Sequence, residues 1–322
     1  PQDRMRLAAL RREGKRALAE ALAGLERDPD GDATQALLGE AWCDPRAHVV
    51  GVTGPPGVGK SSLCAALVAA WRRSGSTVGV IAVDPSSRMS GGALLGDRVR
   101  IVHDGADEGS FVRSMAARDR LGGLADQTLA AMVVMRALFD YVLIETVGVG
   151  QSETDVAGVA DTVLFCVQPG SGDSLQFMKA GIVEIPHLVV ITKADMGTAA
   201  ERARADVTGA LSLATAGEGG GWPVKILAVS SRSGAGMEGL VGALEAHRTY
   251  MAVDGRLAAA RHRQSEVWVT ESLRDRYGRD GLARLDKLGS DVALAPGAQP
   301  FKRLRELAAV LEVCRDEPPD RT

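Results

Sequence analysis

One stretch of eight residues restricts the fold and the chemistry of this chain more than any other. Residues Gly54–Ser61 have the sequence GPPGVGKS, which fits the pattern G-x-x-x-x-G-K-[ST]. The residues His48–Thr53 before it predict a buried strand, and Ser62–Val68 after it predict the first turns of a helix. In such a loop the glycines let successive backbone N–H groups point at phosphates, at the positive end of the helix.

The loop therefore predicts a nucleoside-triphosphate site with defined roles for its side chains. We expect Lys60 to contact the β- and γ-phosphates and the Ser61 hydroxyl to take a position beside Mg²⁺. A glycine-rich turn without a ligand is the alternative, but such a turn does not require the flanking strand and helix. The residues expected to contact the nucleotide form one run: Gly54, Pro56, Gly57, Val58, Gly59, Lys60, Ser61 and Ser62.

The composition argues against several classes of function. The 322 residues are 45% hydrophobic and 25% charged, which is typical of a globular protein with a large core. The net charge of −3 gives no support for binding to nucleic acid or to a membrane surface. The five histidines and the four cysteines (Cys43, Cys64, Cys166 and Cys314) are scattered along the sequence. This spacing argues against a dedicated zinc or nickel cluster and favours cysteines as small core residues in a reducing compartment.

The sequence also predicts where the protein resides. No run of 18 or more apolar residues is present, so we expect no transmembrane helix. The arginine-rich start of the chain is interrupted by Asp3, Glu13 and Glu20 and is not followed by an apolar segment. A secretory signal is therefore not expected, and we predict a cytoplasmic protein.

Alternation of short β-branched runs with helical stretches predicts an α/β fold from residue 46 to residue 250. Because the runs are continuously apolar, they favour a doubly wound, mostly parallel sheet covered by helices on both faces. Residues 1–45 predict a helical N-terminal extension. The predicted strands are Val49–Thr53, Val78–Val83, Tyr141–Glu145, Val163–Val167, Leu188–Thr192 and Val224–Val229.

The last part of the chain, residues 251–322, has a different character. Leu257–Tyr277 predicts a long, charged helix, and Phe301–Val313 predicts a final one after a Pro-Gly turn. We expect these segments to be too short for a separate core. They are interpreted as a helical arm that serves as a dimerisation element.

Two acidic residues end predicted strands near the phosphate loop. Asp84 ends the second strand, where a carboxylate can enter the Mg²⁺ shell; a turn aspartate before Pro85 is the alternative. Glu145 ends the next strong strand, and Gly148 follows three residues later, as in the D-x-x-G element that senses a γ-phosphate. Gln151 is a candidate to orient the attacking water, or else belongs to the surface of a switch segment.

A second motif concerns the base of the nucleotide. Thr192-Lys193-Ala194-Asp195 follows a predicted strand and resembles N-K-x-D, with threonine in place of asparagine. A carboxylate such as that of Asp195 accepts two N–H groups from guanine, whereas adenine leaves it unpaired, which is costly. Ser230-Ser231-Arg232, after the last predicted strand, matches the final base-contacting loop by its order in the chain.

These blocks together resemble one family. Gly54–Ser62, Asp84–Ser87, Gly91–Arg98 and Glu145–Glu153 (ETVGVGQSE) are similar to the MeaB/ArgK/MMAA-type G-protein chaperones of adenosylcobalamin-dependent acyl-CoA mutases. That family belongs to the SIMIBI class of phosphate-loop GTPases. The resemblance covers residues 46–250, and the segment Ser114–Asp119 departs from it.

The resemblance implies further roles. It assigns Asp84 and Asp97 to the Mg²⁺ shell on a first switch, and Glu145 to the metal site and the start of a second. It implies a third switch over Gln168–Gly181, in which Lys179 engages the nucleotide side; a solvated helix lysine is the alternative.

By the same resemblance, the protein is expected to hydrolyse GTP to GDP, slowly alone and faster with its partner mutase. It is expected to gate adenosylcobalamin loading or to protect the loaded mutase, and to act as a homodimer. Three alternatives stay open: a phosphate-loop kinase, a nickel-insertion GTPase and a binding module without hydrolysis. The guanine motif argues against the kinase, and the scattered cysteines and histidines argue against the nickel-insertion protein.

Overall fold

A computed structural model describes residues 6–84, 107–116, 126–146, 148, 155–170, 186–214 and 221–313. Its centre is a seven-stranded sheet, in which every pair of neighbouring strands is parallel. The order of the strands across the sheet is β3-β2-β4-β1-β5-β6-β7. The strands are β1 His48–Thr53, β2 Val78–Asp84, β3 Ser110–Ala116, β4 Tyr141–Glu145, β5 Thr162–Val167, β6 Leu188–Ile191 and β7 Lys225–Ala228.

Helices cover both faces of this sheet. They are α1 Leu7–Arg27, α2 Asp32–Cys43, α3 Lys60–Arg73, α4 Asp126–Arg136, α5 Thr198–Ala214, α6 Met237–Ala252, α7 Arg256–Lys287 and α8 Pro300–Val313. Short 3₁₀ helices are found at Val156–Gly158 and Ala194–Met196. In the described residues, no helix is both long and apolar enough to cross a membrane.

The continuous apolar runs of the strands explain why the sheet is covered on both sides. Successive side chains of a strand point to opposite faces, so a run without alternation needs apolar cover above and below. In β1, Val49 packs in the cluster that contains α1, α2 and α4, whereas Val50 and Val52 pack with α3 and α6. The predicted α/β class and doubly wound parallel sheet are therefore confirmed.

The sequence analysis missed one strand. β3 pairs with β2 from Ser110 to Ala116 at the edge of the sheet. Its sequence, SFVRSMA, carries polar residues among the apolar ones because an edge strand has only one neighbour and less apolar cover. The six predicted strands are present, and each of their ends lies within one residue of the predicted end.

The C-terminal region differs from the expectation that it has no core of its own. α7 and α8 pack against each other around seven buried side chains: Val269, Leu273, Leu285, Leu294, Leu304, Leu307 and Leu311. The backbone of Gly278 is not helical and interrupts α7, so residues on both sides of the break contribute to this cluster. The sequence analysis interpreted these segments as a helical arm because each of them is short.

A buried ion pair joins α7 to the central sheet. The guanidinium of Arg261 donates to both carboxylate oxygens of Asp161, at 2.8 and 2.7 Å. Asp161 directly precedes β5, its side chain is 1% exposed, and it also accepts the backbone N–H of Val49 at 2.8 Å. Because buried charges are tolerated only when they are paired and hydrogen-bonded, this contact fixes where α7 meets the sheet.

Three histidines that are far apart in the sequence meet at the amino ends of β1, β5 and β6. The Thr162 hydroxyl lies 2.6 Å from Nε2 of His48 and 2.6 Å from Nδ1 of His247. The His187 ring lies 4.3 Å from that of His247, and its Nδ1 accepts the N–H of Val163. These histidines are scattered along the sequence but lie close together in the fold. Within the described ranges, no three His, Cys, Asp or Glu side chains are arranged to hold a metal.

Burial gives these histidines unusual acid–base behaviour. Desolvation lowers the pKa of His48 and of His187 to about 4, and that of His247 to about 3, from an ordinary value of 6.5. The folded protein therefore keeps these rings neutral at pH values at which the unfolded chain protonates them.

We predict that the free energy of unfolding falls as the pH drops from about 6.5 to about 4. In this window the unfolded state binds more protons, so each histidine costs on the order of 1 kcal/mol per pH unit. Urea unfolding at pH 7, 6 and 5 measures the slope. His247→Phe removes one of these groups and should therefore reduce the slope. If His247→Phe shows the same slope as the wild type, His247 does not contribute to the pH dependence of unfolding.

Candidate functional site

The predicted phosphate loop connects β1 to α3 at the carboxyl edge of the sheet. α3 begins at Lys60, directly after Gly59, as the strand–loop–helix context required. Gly54 has a φ of 135°, and a Cβ at this position would lie 2.4 Å from the carbonyl oxygen of Cys166 on β5. Only glycine fits there, because the loop leaves the strand in close contact with the neighbouring backbone.

Lys60 lies across this loop. Its side chain is buried, and its Nζ donates to the carbonyl oxygens of Gly54 at 2.7 Å and of Pro55 at 3.0 Å. Gly148 approaches from the other side: a Cβ there would lie 2.0 Å from the Gly54 oxygen and 2.6 Å from Nζ of Lys60. The acid–glycine element predicted from the sequence is thus in contact with the phosphate loop.

The predicted metal residues Ser61 and Glu145 are neighbours. The Ser61 hydroxyl donates to Oε1 of Glu145 at 2.5 Å. Glu145 ends β4 and pairs in register with Val52 on β1 and Ala82 on β2. Asp84 lies two residues beyond Ala82 at the same edge of the sheet, but its side chain is outside the described part. The described pair supplies hard oxygen atoms from a hydroxyl and a carboxylate, which suit Mg²⁺.

The segment after β6 is bonded directly to the phosphate loop. The hydroxyl of Thr192, which is buried, donates to the carbonyl oxygens of Val58 at 2.7 Å and of Val167 at 3.1 Å. Nζ of Lys193 donates to the Gly57 oxygen at 3.2 Å and to Oε1 of Gln168 at 2.6 Å. Thr192 therefore holds the segment after β6 to the phosphate loop, and Lys193 adds a second hydrogen bond between the same two segments.

Asp195 lines a cavity of about 400 Å³ beside the phosphate loop. A hydrogen bond from Ser230 holds the pKa of its carboxyl below the usual value, so the group is charged at neutral pH. The lining residues are Val58, Gly59, Ser62, Thr192, Lys193, Asp195, Met196, Ser230, Ser231 and Arg232. All of them except Met196 were predicted from the sequence.

Met196 is the lining residue that sequence reasoning missed. It lies in the 3₁₀ turn with Asp195 and is 50% exposed. Its position directly after the T-K-x-D motif and its apolar type at an exposed turn were the only signs available.

Several predicted residues are outside the described part of the chain. Asp97, Gln151 and Lys179 fall there, as does most of the expected third switch, Gln168–Gly181. Cys314 is also outside it, while Cys64 and Cys166 are buried and Cys43 is exposed. The sequence-based roles of Asp97, Gln151 and Lys179 therefore stay predictions.

A phosphate loop, an acid–glycine element and a T-K-x-D loop on one edge of a doubly wound parallel sheet define a phosphate-loop GTPase. The family model described as "Methylmalonyl Co-A mutase-associated GTPase MeaB" matches residues 18–282. The chain belongs to this family of GTPases.

Individual relatives agree with this assignment. The chain is 43% identical over 225 residues to a putative GTPase of Pyrococcus horikoshii, with 69% of this chain and 71% of the relative covered. It is 36% identical over 266 residues to the GTPase ArgK of Escherichia coli, with 80% of each covered. The crystal structure of an LAO/AO transport system kinase is similar, with a TM-score of 0.65, 27% identity and coverage of 95% of this chain and 96% of that one.

We predict that Thr192→Val weakens binding of GDP by about tenfold. The substitution removes the hydroxyl that bonds Val58 and Val167, and one to two hydrogen bonds correspond to roughly that change in affinity. Thr192→Ser, which keeps the hydroxyl, is the matched control and should bind almost as the wild type does. Isothermal titration with GDP measures both. If Thr192→Val binds GDP as tightly as the wild type does, the hydrogen bonds of Thr192 are not needed for nucleotide binding.

Proposed function

We propose that this GTPase is a chaperone of an adenosylcobalamin-dependent acyl-CoA mutase, which gates cofactor loading or protects the loaded mutase. The family to which the chain belongs is that of the methylmalonyl-CoA mutase-associated GTPases, and this supports the choice of partner. The observation that supports the nucleotide-binding role is the cavity beside the phosphate loop, which the charged Asp195 lines.

The phosphate-binding role is assigned to the loop and to Lys60. The amine of Lys60 bonds the Gly54 and Pro55 oxygens and is therefore already directed across the loop. When GTP binds, this amine exchanges those carbonyl oxygens for the β- and γ-phosphate oxygens. It then neutralises charge that develops on the transferred phosphoryl group.

The metal-binding role is assigned to Ser61 and Glu145, with Asp84 and Asp97 added by the family resemblance. Ser61 and Glu145 are 2.5 Å apart and carry the oxygen donors that Mg²⁺ prefers, so the residues fit the ion. Mg²⁺, when bound, supplies charge neutralisation between the β- and γ-phosphates. The Glu145 carboxylate accepts the Ser61 hydroxyl proton and so orients the hydroxyl oxygen. Gln151 is proposed to orient the attacking water.

The base-binding role is assigned to Asp195, supported by Ser230, Ser231 and Arg232. A carboxylate with a lowered pKa is an acceptor for two guanine N–H groups at neutral pH. The bonds from Thr192 and Lys193 to the phosphate loop fix the distance between the base site and the phosphate site. This arrangement favours a guanine nucleotide over an adenine nucleotide, and it disfavours the kinase alternative.

We predict that Asp195→Asn lowers the affinity for GDP and shifts the preference toward xanthine nucleotides, whose 2-position accepts instead of donating. Loss of hydrogen bonds to a charged group costs about 1.5–3 kcal/mol, so GDP should bind roughly 10- to 150-fold more weakly. Competition titrations with GDP, XDP and ADP provide the measurement. If the wild-type protein binds ADP as tightly as GDP, Asp195 does not read the base.

Coupling to the mutase is assigned to the third switch. Gln168, its first residue, accepts a hydrogen bond from Lys193 of the base loop at 2.6 Å. A contact of this kind lets the nucleotide and the switch bias each other, and linkage makes that effect reciprocal. Lys179 is proposed to act in the same switch, and the C-terminal helices are proposed as the dimerisation element.

We expect saturating mutase to accelerate GTP hydrolysis by more than about tenfold, which corresponds to a barrier lowered by over 1.4 kcal/mol. Phosphate release is measured with and without a purified adenosylcobalamin-dependent mutase. Lys60→Ala should show no hydrolysis under either condition, which assigns the rate to this site. If no such mutase changes the wild-type rate of hydrolysis, the chaperone role is wrong. The assignment of the nucleotide site would not be affected by that result.

A further inference from the structure

Thr192 occupies the first position of the T-K-x-D loop, where the N-K-x-D pattern has an asparagine. The two side chains differ in the number of hydrogen bonds that they can donate. A threonine hydroxyl carries one proton, whereas an asparagine amide carries two N–H groups. An asparagine can therefore hold a neighbouring loop with one N–H group and offer the other to a ligand. Threonine has a single proton for both purposes.

The hydroxyl proton of Thr192 is used within the protein. It is shared between the carbonyl oxygens of Val58, at 2.7 Å, and of Val167, at 3.1 Å. One of these acceptors is in the phosphate loop and the other ends β5. Thr192 is only 4% exposed, although it borders the cavity of about 400 Å³ that is assigned to the nucleotide. Its only donor is therefore directed to the backbone and not to a ligand in that cavity.

Other donors of the same loop are used in a similar way. The backbone N–H of Thr192 donates to the carbonyl oxygen of Val167 at 2.8 Å. The backbone N–H of Ala194 donates to that of Val229 at 3.1 Å. The amine of Lys193 donates to the phosphate loop at 3.2 Å. These donors hold the loop in place, while its aspartate lines the cavity with acceptor oxygens.

Guanine presents two chemically different edges to such a site. One edge carries the N1–H and 2-amino donors, which match the carboxylate of Asp195. The other edge carries the acceptors N7 and O6. Because N7 is an acceptor, a protein reads it only with a donor. The base analogue 7-deazaguanine, in which C–H replaces N7, separates the two cases because it keeps the first edge unchanged.

We propose that this GTPase recognises guanine from the N1–H and 2-amino edge and forms no hydrogen bond to N7. This rests on the proposed function, in which Asp195 binds the base. Thr192 is then a positioning residue that holds the base loop to the phosphate loop. It also sets the specificity of the site, because it withholds from N7 the donor that an asparagine would supply. The site therefore accepts guanine nucleotides in which N7 is replaced by C–H.

The test compares the affinities of the full chain for GDP and 7-deaza-GDP by isothermal titration. A neutral hydrogen bond to N7 would make GDP the tighter ligand by about fivefold. We expect the wild type to bind the two nucleotides within about twofold of each other, less than the loss of such a bond causes. Thr192→Val should weaken both to the same extent, because it removes a bond between loops and none to the base.

Thr192→Asn supplies the missing donor. The asparagine amide can bond the Val58 oxygen and N7 together, so this variant should bind GDP about fivefold more tightly than 7-deaza-GDP. A residue with a purely structural role would not create this preference. If Thr192→Asn binds both nucleotides equally, position 192 does not face N7 and its role in specificity is refuted.

The wild-type titrations do not depend on whether Thr192→Asn folds. The proposal is overturned if the wild type binds 7-deaza-GDP fivefold or more weakly than GDP. Loss of that difference in Thr192→Val would identify the threonine hydroxyl as the group that reads N7, and its persistence would identify another donor. ADP is titrated in parallel. If ADP binds as tightly as GDP, the base-binding role of Asp195 itself fails, which is a different result from a preference for GDP over 7-deaza-GDP.

Discussion

The parallel direction of all described strands is the constraint on which the candidate site depends. Because the strands run the same way, the segments that follow β1, β4, β6 and β7 leave the sheet at one edge. This brings Lys60, Glu145, Thr192 and Ser230 together although they are spread over most of the chain. The hydrogen bonds among these segments then set distances that no single loop could set, such as that from Thr192 to Val58.

The sequence predicted the parts of the site that are encoded locally. The phosphate loop, the acid at the end of β4 and the T-K-x-D loop each have their residues within a few positions, and strand ends place them. Features that depend on contacts between distant segments were missed or misjudged. β3 was not predicted because polar residues interrupt its apolar ones, and the three histidines meet only where α6 packs against the amino ends of β1, β5 and β6.

The C-terminal helices are a second example of a feature that the sequence could not predict, because it depends on contacts between distant segments. The apolar residues of α7 are too widely spaced to predict a core by themselves. The cluster is completed only when both parts of α7, the loop after it and α8 come together around the break at Gly278. Met196 was missed because a single apolar residue on an exposed turn has no periodicity to indicate its role. The roles of Asp97, Gln151 and Lys179 remain predictions, since these residues lie outside the described part of the chain.

The ion pair between Arg261 and Asp161 connects α7 to β1, the strand that leads into the phosphate loop. Asp161 also holds the N–H of Val49 near the start of β1, while Gly54 begins the loop at the other end. β1 has six residues and is about 20 Å long. A shift of α7 at Arg261 would therefore act through Asp161 on one end of the strand whose other end leads into the phosphate loop. The Arg261–Asp161 pair thus connects the C-terminal helix to the strand that positions Lys60.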